Sequence, residues 1–83
     1  MDLTTTVRNV LRDALSLGDR AATLTSDSPL LGGLPEFDSM AVVTVVTLLE
    51  DTLGITIDDD DLSADVFATV GSLTAFVEGK LAA

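Results

Sequence analysis

Apolar residues recur along this chain at helical intervals, in stretches separated by one long irregular segment. Val7, Val10, Leu11, Ala14 and Leu15 stand at i, i+3, i+4, i+7 and i+8, one stripe of a first helix. Thr4 or Asp2 is suited to cap its start, and Gly18 to follow its end. Residues 18–37, containing Pro29, Gly32-Gly33 and Pro35, are expected to form a long connection. A connection of that length is unusual in a compact domain and points to a functional or self-packed loop. Leu24, Leu30, Leu31, Leu34 and Phe37 are expected to anchor it over the core.

The next segment sets propensity against pattern. Val42-Val43-Thr44-Val45-Val46-Thr47 is a β-branched run that alone favours a strand. Residues 39–53, however, exceed an ordinary strand in length, and Asp38 and Gly54 stand where an N-cap and a C′ residue belong. On a helix, Val42, Val45, Val46, Leu49 and Leu53 share a narrow arc, whereas a strand would scatter them over both faces. A second helix is predicted. Its opposite arc, Met40, Val43, Thr44, Thr47 and Asp51, holds a single charge, fewer than a water-facing helix usually carries. Such a stripe suits a transient docking surface.

After Ile55-Thr56-Ile57, Asp60 or Asp61 can cap a short third helix over residues 62–67, with Leu62, Val66 and Phe67 turned inward. Thr69 is expected to cap the last helix, where Val70, Leu73, Val77 and Leu81 form a stripe flanked by Phe76. The fold class predicted is all-α: a small four-helix bundle of three longer helices and a short third one, with a long loop between helices 1 and 2. Residues 1–83 are expected to make one domain around an aliphatic core, since the chain has three Phe and no Trp or Tyr.

Charge narrows the partners. The chain carries a net −10, and the span 21–79 holds eleven acids and no base. Nucleic acid, which needs a cationic footprint, is disfavoured, and a basic patch on a partner protein is favoured. Residues 1–20 lack the apolar core of a signal peptide and no segment approaches a membrane span, so a cytoplasmic protein without membrane insertion is expected, and a monomer is expected beside that.

Conventional catalytic chemistry finds no support. There is no cysteine and no histidine, and the single Lys80 lies near the far terminus, so Ser39 has no evident base to activate it. The run Asp58-Asp59-Asp60-Asp61 fails as a calcium loop, because position six is Ser63 and position twelve is Thr69; no metal site is expected. Ser39 does stand at the start of the second helix, just after Asp38. A helix N-terminus favours negative charge, so a hydroxyl there suits attachment of a phosphate-linked group.

Asp38-Ser39-Met40 opening an amphipathic helix, after a Leu/Pro/Gly-containing loop in an acidic chain of this length, resembles the acyl carrier proteins. The resemblance extends through Leu49-Glu50, the acidic turn, and Phe67-Ala68-Thr69-Val70-Gly71-Ser72-Leu73. It implies that a phosphopantetheinyl transferase places 4′-phosphopantetheine from coenzyme A on Ser39. The arm's thiol would then hold acyl intermediates as thioesters for fatty-acid, polyketide or specialised biosynthesis. Asp38 would cap the helix and meet the transferase. Basic patches of acyl-loading and acyl-processing enzymes would dock on Met40, Val43, Thr44, Thr47, Glu50 and Asp51. The family commonly has Leu after the serine and acids along the next turns. Here Met40, Ala41 and Thr44 stand instead, which looks more like a dedicated carrier of a specialised pathway, and Leu34-Pro35-Glu36-Phe37-Asp38-Ser39-Met40 resembles free-standing carriers from bacterial biosynthetic clusters. Two alternatives remain open, an aminoacyl or peptidyl carrier and an unmodified helical adaptor.

Overall fold

The computed structural model describes residues 3–33 and 37–82, with Asp59 described through its backbone alone. Three α-helices carry the fold: α1 (Leu3–Leu15), α2 (Ser39–Leu53) and α3 (Val70–Ala82). Two 3₁₀ segments, Gly18–Thr23 and Asp59–Asp61, lie between them. Among the described residues there is no strand, only an isolated antiparallel bridge between Pro29 and Thr69. The all-α bundle expected from the sequence is the one found.

The core is aliphatic. Val7, Leu11, Leu30, Val45, Leu49, Val70, Leu73 and Val77 are essentially sealed from solvent, and α1 packs against both α2 and α3. The stripe of α1 is buried at Val7, Val10, Leu11 and Leu15, with Ala14 at its margin. The helix ends differently from expectation. Ser16, rather than Gly18, is the left-handed residue that closes the helix (φ 55°), and Leu17 N–H then donates to the Arg12 carbonyl at 3.0 Å. That 6→1 closure reverses the chain early enough to bury Leu17. Gly18, also left-handed, opens the 3₁₀ segment within the connection expected to be irregular. Thr4 lies inside α1 rather than capping it, because Leu3 is already helical; the alternative cap Asp2 lies outside the described residues.

The long loop is fastened rather than free. Leu30 and Leu31 N–H groups donate to the carbonyls of Ala68 and Phe67, both at 3.0 Å. In return, Val70 and Gly71 donate to Ser28 and Ser26 at 3.0 and 2.8 Å. This seam stitches residues 26–31 to residues 67–71. Leu24, Leu30 and Phe37 anchor the loop as expected, but Leu31 is 48% exposed, and Leu34 lies outside the described residues.

The third element differs in place and kind. Residues 62–67 form no α-helix; the 3₁₀ segment Asp59–Asp61 precedes them, and Val66 N–H reaches only back to the Ser63 carbonyl at 3.2 Å. Bonds of the i→i+3 kind suffice here to turn Phe67 inward, with Leu62 and Val66 packed against the core. Thr69 caps α3 as expected, and reciprocally. Ser72 N–H donates to Thr69 Oγ1, and Thr69 N–H to Ser72 Oγ, each at 3.0 Å. Leu81 departs from its stripe: one turn past buried Val77, it is 46% exposed where α3 runs beyond the packed core.

Candidate functional site

The β-branched run is helical because tertiary burial and capping outweigh its propensity. Asp38, in extended conformation, accepts the Ala41 N–H on Oδ1 at 2.9 Å, and its carbonyl accepts the first intrahelical bond from Val42 at 3.0 Å. At the other end Gly54 is left-handed, and its N–H donates to the Glu50 carbonyl at 2.9 Å. The helix spans the expected residues 39–53.

Ser39 is the first residue of α2 and is exposed. Its place is set from both sides. Behind it, buried Phe37 packs against Phe67, ring centroids 5.6 Å apart, pinning the chain two residues before the hydroxyl. Ahead of it, Asp38 has taken the Ala41 amide, which leaves the first-turn amides of Ser39 and Met40 for a ligand or water. A phosphate bonded to this oxygen would lie at the positive end of the helix dipole.

The two arcs of α2 fall as expected. Val45 and Leu49 are sealed, and Val42, Val46 and Leu53 are partly buried; Ala41 joins the buried stripe. Met40 is 75% and Val43 60% exposed, and Thr44, Thr47 and Asp51 are exposed with them. Both threonine hydroxyls fold back on the helix: Thr44 Oγ1 donates to the Met40 carbonyl at 3.2 Å and Thr47 Oγ1 to Val43 at 2.9 Å. Their donors are thereby satisfied, and the arc is less polar than its composition implies. Glu50 stands apart from that arc. It is half-buried, and its Oε2 accepts the Ile57 N–H at 2.8 Å, so it fastens the chain after α2 rather than extending the exposed arc.

A groove of about 280 Å3, lined by Leu31, Val42, Leu62, Ser63, Ala64 and Phe67, begins one turn along α2 from Ser39. The apolar pattern directs Leu31, Leu62 and Phe67 toward the core, and nothing in their spacing distinguishes a groove wall from an interior. The acidic turn is tied inward. Lys80 Nζ donates to Asp61 Oδ2 at 2.6 Å and sits 5.9 Å from the Phe76 ring centre. That hydrogen bond, with a second from the Asp58 N–H, holds the Asp61 carboxyl below its ordinary value. Among the described residues no group of three or more acids, histidines or cysteines could hold a metal ion.

A family model described as the phosphopantetheine attachment site matches residues 5–77. The chain belongs to this family, that of the acyl carrier proteins. A holo acyl carrier protein from Nitrosomonas europaea, solved in solution by NMR, is 53% identical and superposes with a TM-score of 0.92 over 100% of both chains. An acyl carrier protein of Exiguobacterium sp. is 48% identical over 44 residues, 53% of this chain and 53% of that relative, so this match spans about half of its length. The cofactor of the family is covalent 4′-phosphopantetheine, and its members are carriers rather than catalysts. The residues present fit that group: an exposed hydroxyl, two first-turn amides beside it, and an apolar groove one turn away.

Proposed function

We propose that Ser39 bears the 4′-phosphopantetheine arm and that the chain presents acyl thioesters on it to separate enzymes. The observation that carries this reading is the exposed Ser39 hydroxyl at the first position of α2, held between buried Phe37 and the Asp38 cap. When bound, the arm supplies the thiol that this cysteine-free chain lacks. Ser39 Oγ gives up its proton and bonds the arm's phosphorus as the pyrophosphate P–O bond of coenzyme A breaks, and the nucleotide half leaves as adenosine 3′,5′-bisphosphate. The chain offers no histidine, and Asp38 Oδ1 serves the Ala41 amide, so in this reading the transferase supplies the base.

The arc of Met40, Val43, Thr44 and Thr47, closed by Asp51 with half-buried Glu50 beside it, is the docking face in this reading. Enzymes with basic patches approach under the field of the net −10 charge and settle on a surface that is nearly apolar. We place this work in the cytoplasm, with the carrier monomeric and the pathway a specialised one. The departure of Met40, Ala41 and Thr44 from the family's usual residues supports that last step.

The test is direct. The unmodified chain is incubated with coenzyme A and a promiscuous phosphopantetheinyl transferase, and its intact mass is recorded. One phosphopantetheine adduct in the wild type and none in Ser39→Ala is the expected result. An unchanged wild-type mass would favour the helical adaptor instead, and an adduct that persists in Ser39→Ala would move the attachment point elsewhere.

A further inference from the structure

Two of the chain's four bases line one cleft, and its chemistry is unlike that of the surrounding surface. The cleft, about 490 Å3, lies between α1 and the 3₁₀ segment Gly18–Thr23. Arg8, Asn9 and Arg12 stand on one side, and Gly18, Asp19, Ala21 and Ala22 on the other. Over Leu3–Thr23 three bases face two acids, Asp13 and Asp19, in a chain whose net charge is −10.

Arg8 is the informative member. It is half-buried, yet its guanidinium donates only to neutral oxygens, the Leu24 carbonyl at 3.3 Å and Thr5 Oγ1 at 3.4 Å. Both lie beyond the usual range for such bonds. Among the described residues no carboxylate comes within ion-pair distance of it, although the chain has fourteen acids. A cation half withdrawn from water without a counter-ion retains strong capacity for an anion. Arg12 follows one turn later on the same face, exposed, bonded to Asn9 Oδ1 at 3.3 Å and to Asp13 Oδ1 at 3.2 Å.

We propose that the cleft between α1 and the segment Gly18–Thr23 binds a small diphosphate-type anion between the guanidinium groups of Arg8 and Arg12. Two planar forks one turn apart match two linked phosphates better than one carboxylate, because each fork can engage a separate anionic centre. Asp19, facing them, opposes the ligand and limits its affinity. The site is independent of Ser39, so either reading can fail without the other.

The test is an NMR titration of the isotope-labelled 83-residue chain with inorganic pyrophosphate at low ionic strength, with inorganic phosphate and succinate in parallel. Saturable shifts confined to the amides of Asn9, Arg12, Gly18, Asp19 and Ala21 are expected, with pyrophosphate the tightest by about tenfold. Arg12→Gln, an exposed change that leaves the core intact, weakens binding by about tenfold. Asp19→Asn strengthens it, and Ser39→Ala leaves it unchanged. Arg8→Lys keeps the charge but removes the fork, and it also weakens binding while helical circular dichroism is retained. Three results would overturn the proposal: shifts that drift without saturation along the whole chain, an Arg12→Gln chain that binds like the wild type, or succinate binding as tightly as pyrophosphate.

Discussion

The N–H of Ile57 donates to Oε2 of Glu50, and that bond closes the chain back onto α2 just after Gly54 ends it. Glu50 therefore spends its carboxylate on the fold, while its neighbour Asp51 is exposed. Glu50→Ala should cost about 1 kcal/mol in chemical denaturation, and Asp51→Ala less than about 0.5 kcal/mol. Equal midpoints for the two variants would mean that the Ile57 bond contributes nothing.

The two valines on opposite sides of α2 should separate folding from docking. Val45 is fully sealed, so Val45→Asp would bury an unpaired charge and cost upwards of about 4 kcal/mol. Val43→Glu, on the exposed arc, should leave the melting temperature within a few degrees of the wild type while slowing acyl loading by the partner enzyme. A Val43→Glu chain that unfolds would reverse the assignment of faces.

Asp38 is given two roles that substitution can divide. Asp38→Ala loses the bond from Ala41 and should cost about 1 kcal/mol. Asp38→Asn keeps a side-chain oxygen for the cap and should restore most of that stability. If Asp38→Asn is stable yet accepts the phosphopantetheine arm slowly, the carboxylate itself meets the transferase. Full loading rates in Asp38→Asn would confine the residue to capping.

Gly71 should tolerate no side chain. A Cβ there would stand 2.9 Å from the Ser26 carbonyl oxygen and 3.3 Å from the Ser26 Cβ, and the oxygen is backbone that already accepts the Gly71 N–H. Gly71→Ala should therefore lower stability by about 1–3 kcal/mol, measured by thermal denaturation, although alanine is the better helix former. A neutral or raised melting temperature would show that the seam yields at this point.

Lys80 and Asp61 should leave a mark in the acid limb. The pair and the Asp58 N–H lower the folded-state pKa of Asp61 beneath its ordinary 3.8. A depressed carboxylate adds stability above its unfolded-state pKa, and that stability is lost as pH falls through the lower folded-state value. The stability difference between wild type and Asp61→Asn should thus be constant near neutrality and shrink below about pH 3.8. Relief of the general negative repulsion on acidification acts on both chains and cancels in the difference. A difference that persists unchanged to the most acid pH would discount the pair.

Elements with a repeating apolar period were legible from residues alone. Residues 39–53 resolved as a helix against their own β propensity, since length, the Asp38 cap and the terminal Gly54 all agreed. The capping of α3 by Thr69 was legible for the same reason, although its reciprocal partner is Ser72 rather than the commoner Glu or Gln. What escaped were features decided by tertiary contact. The left-handed turn at Ser16 follows from the burial of Leu17, and the 3₁₀ segments have no period to betray them. Leu31 and Leu81 fit interior positions by hydropathy, and only the packed arrangement shows that the core ends before reaching them. At the site, the place of Ser39 was evident from its neighbours in sequence. The groove beside it, assembled from residues 31, 42, 62–64 and 67, was not.

The seam between residues 26–31 and 67–71 also bears on the order of events at the ribosome. Its second half is made only after Ser39 and the whole of α2, so the serine exists before the loop leading to it can be moored. Long-range closures of this kind form late, once both ends of the enclosed stretch exist. A fragment ending before Phe67 would contain the residues of α1 and α2 yet leave Phe37 without its ring partner, and a modifying enzyme that reads the anchored geometry would pass over it until residues 67–71 are in place.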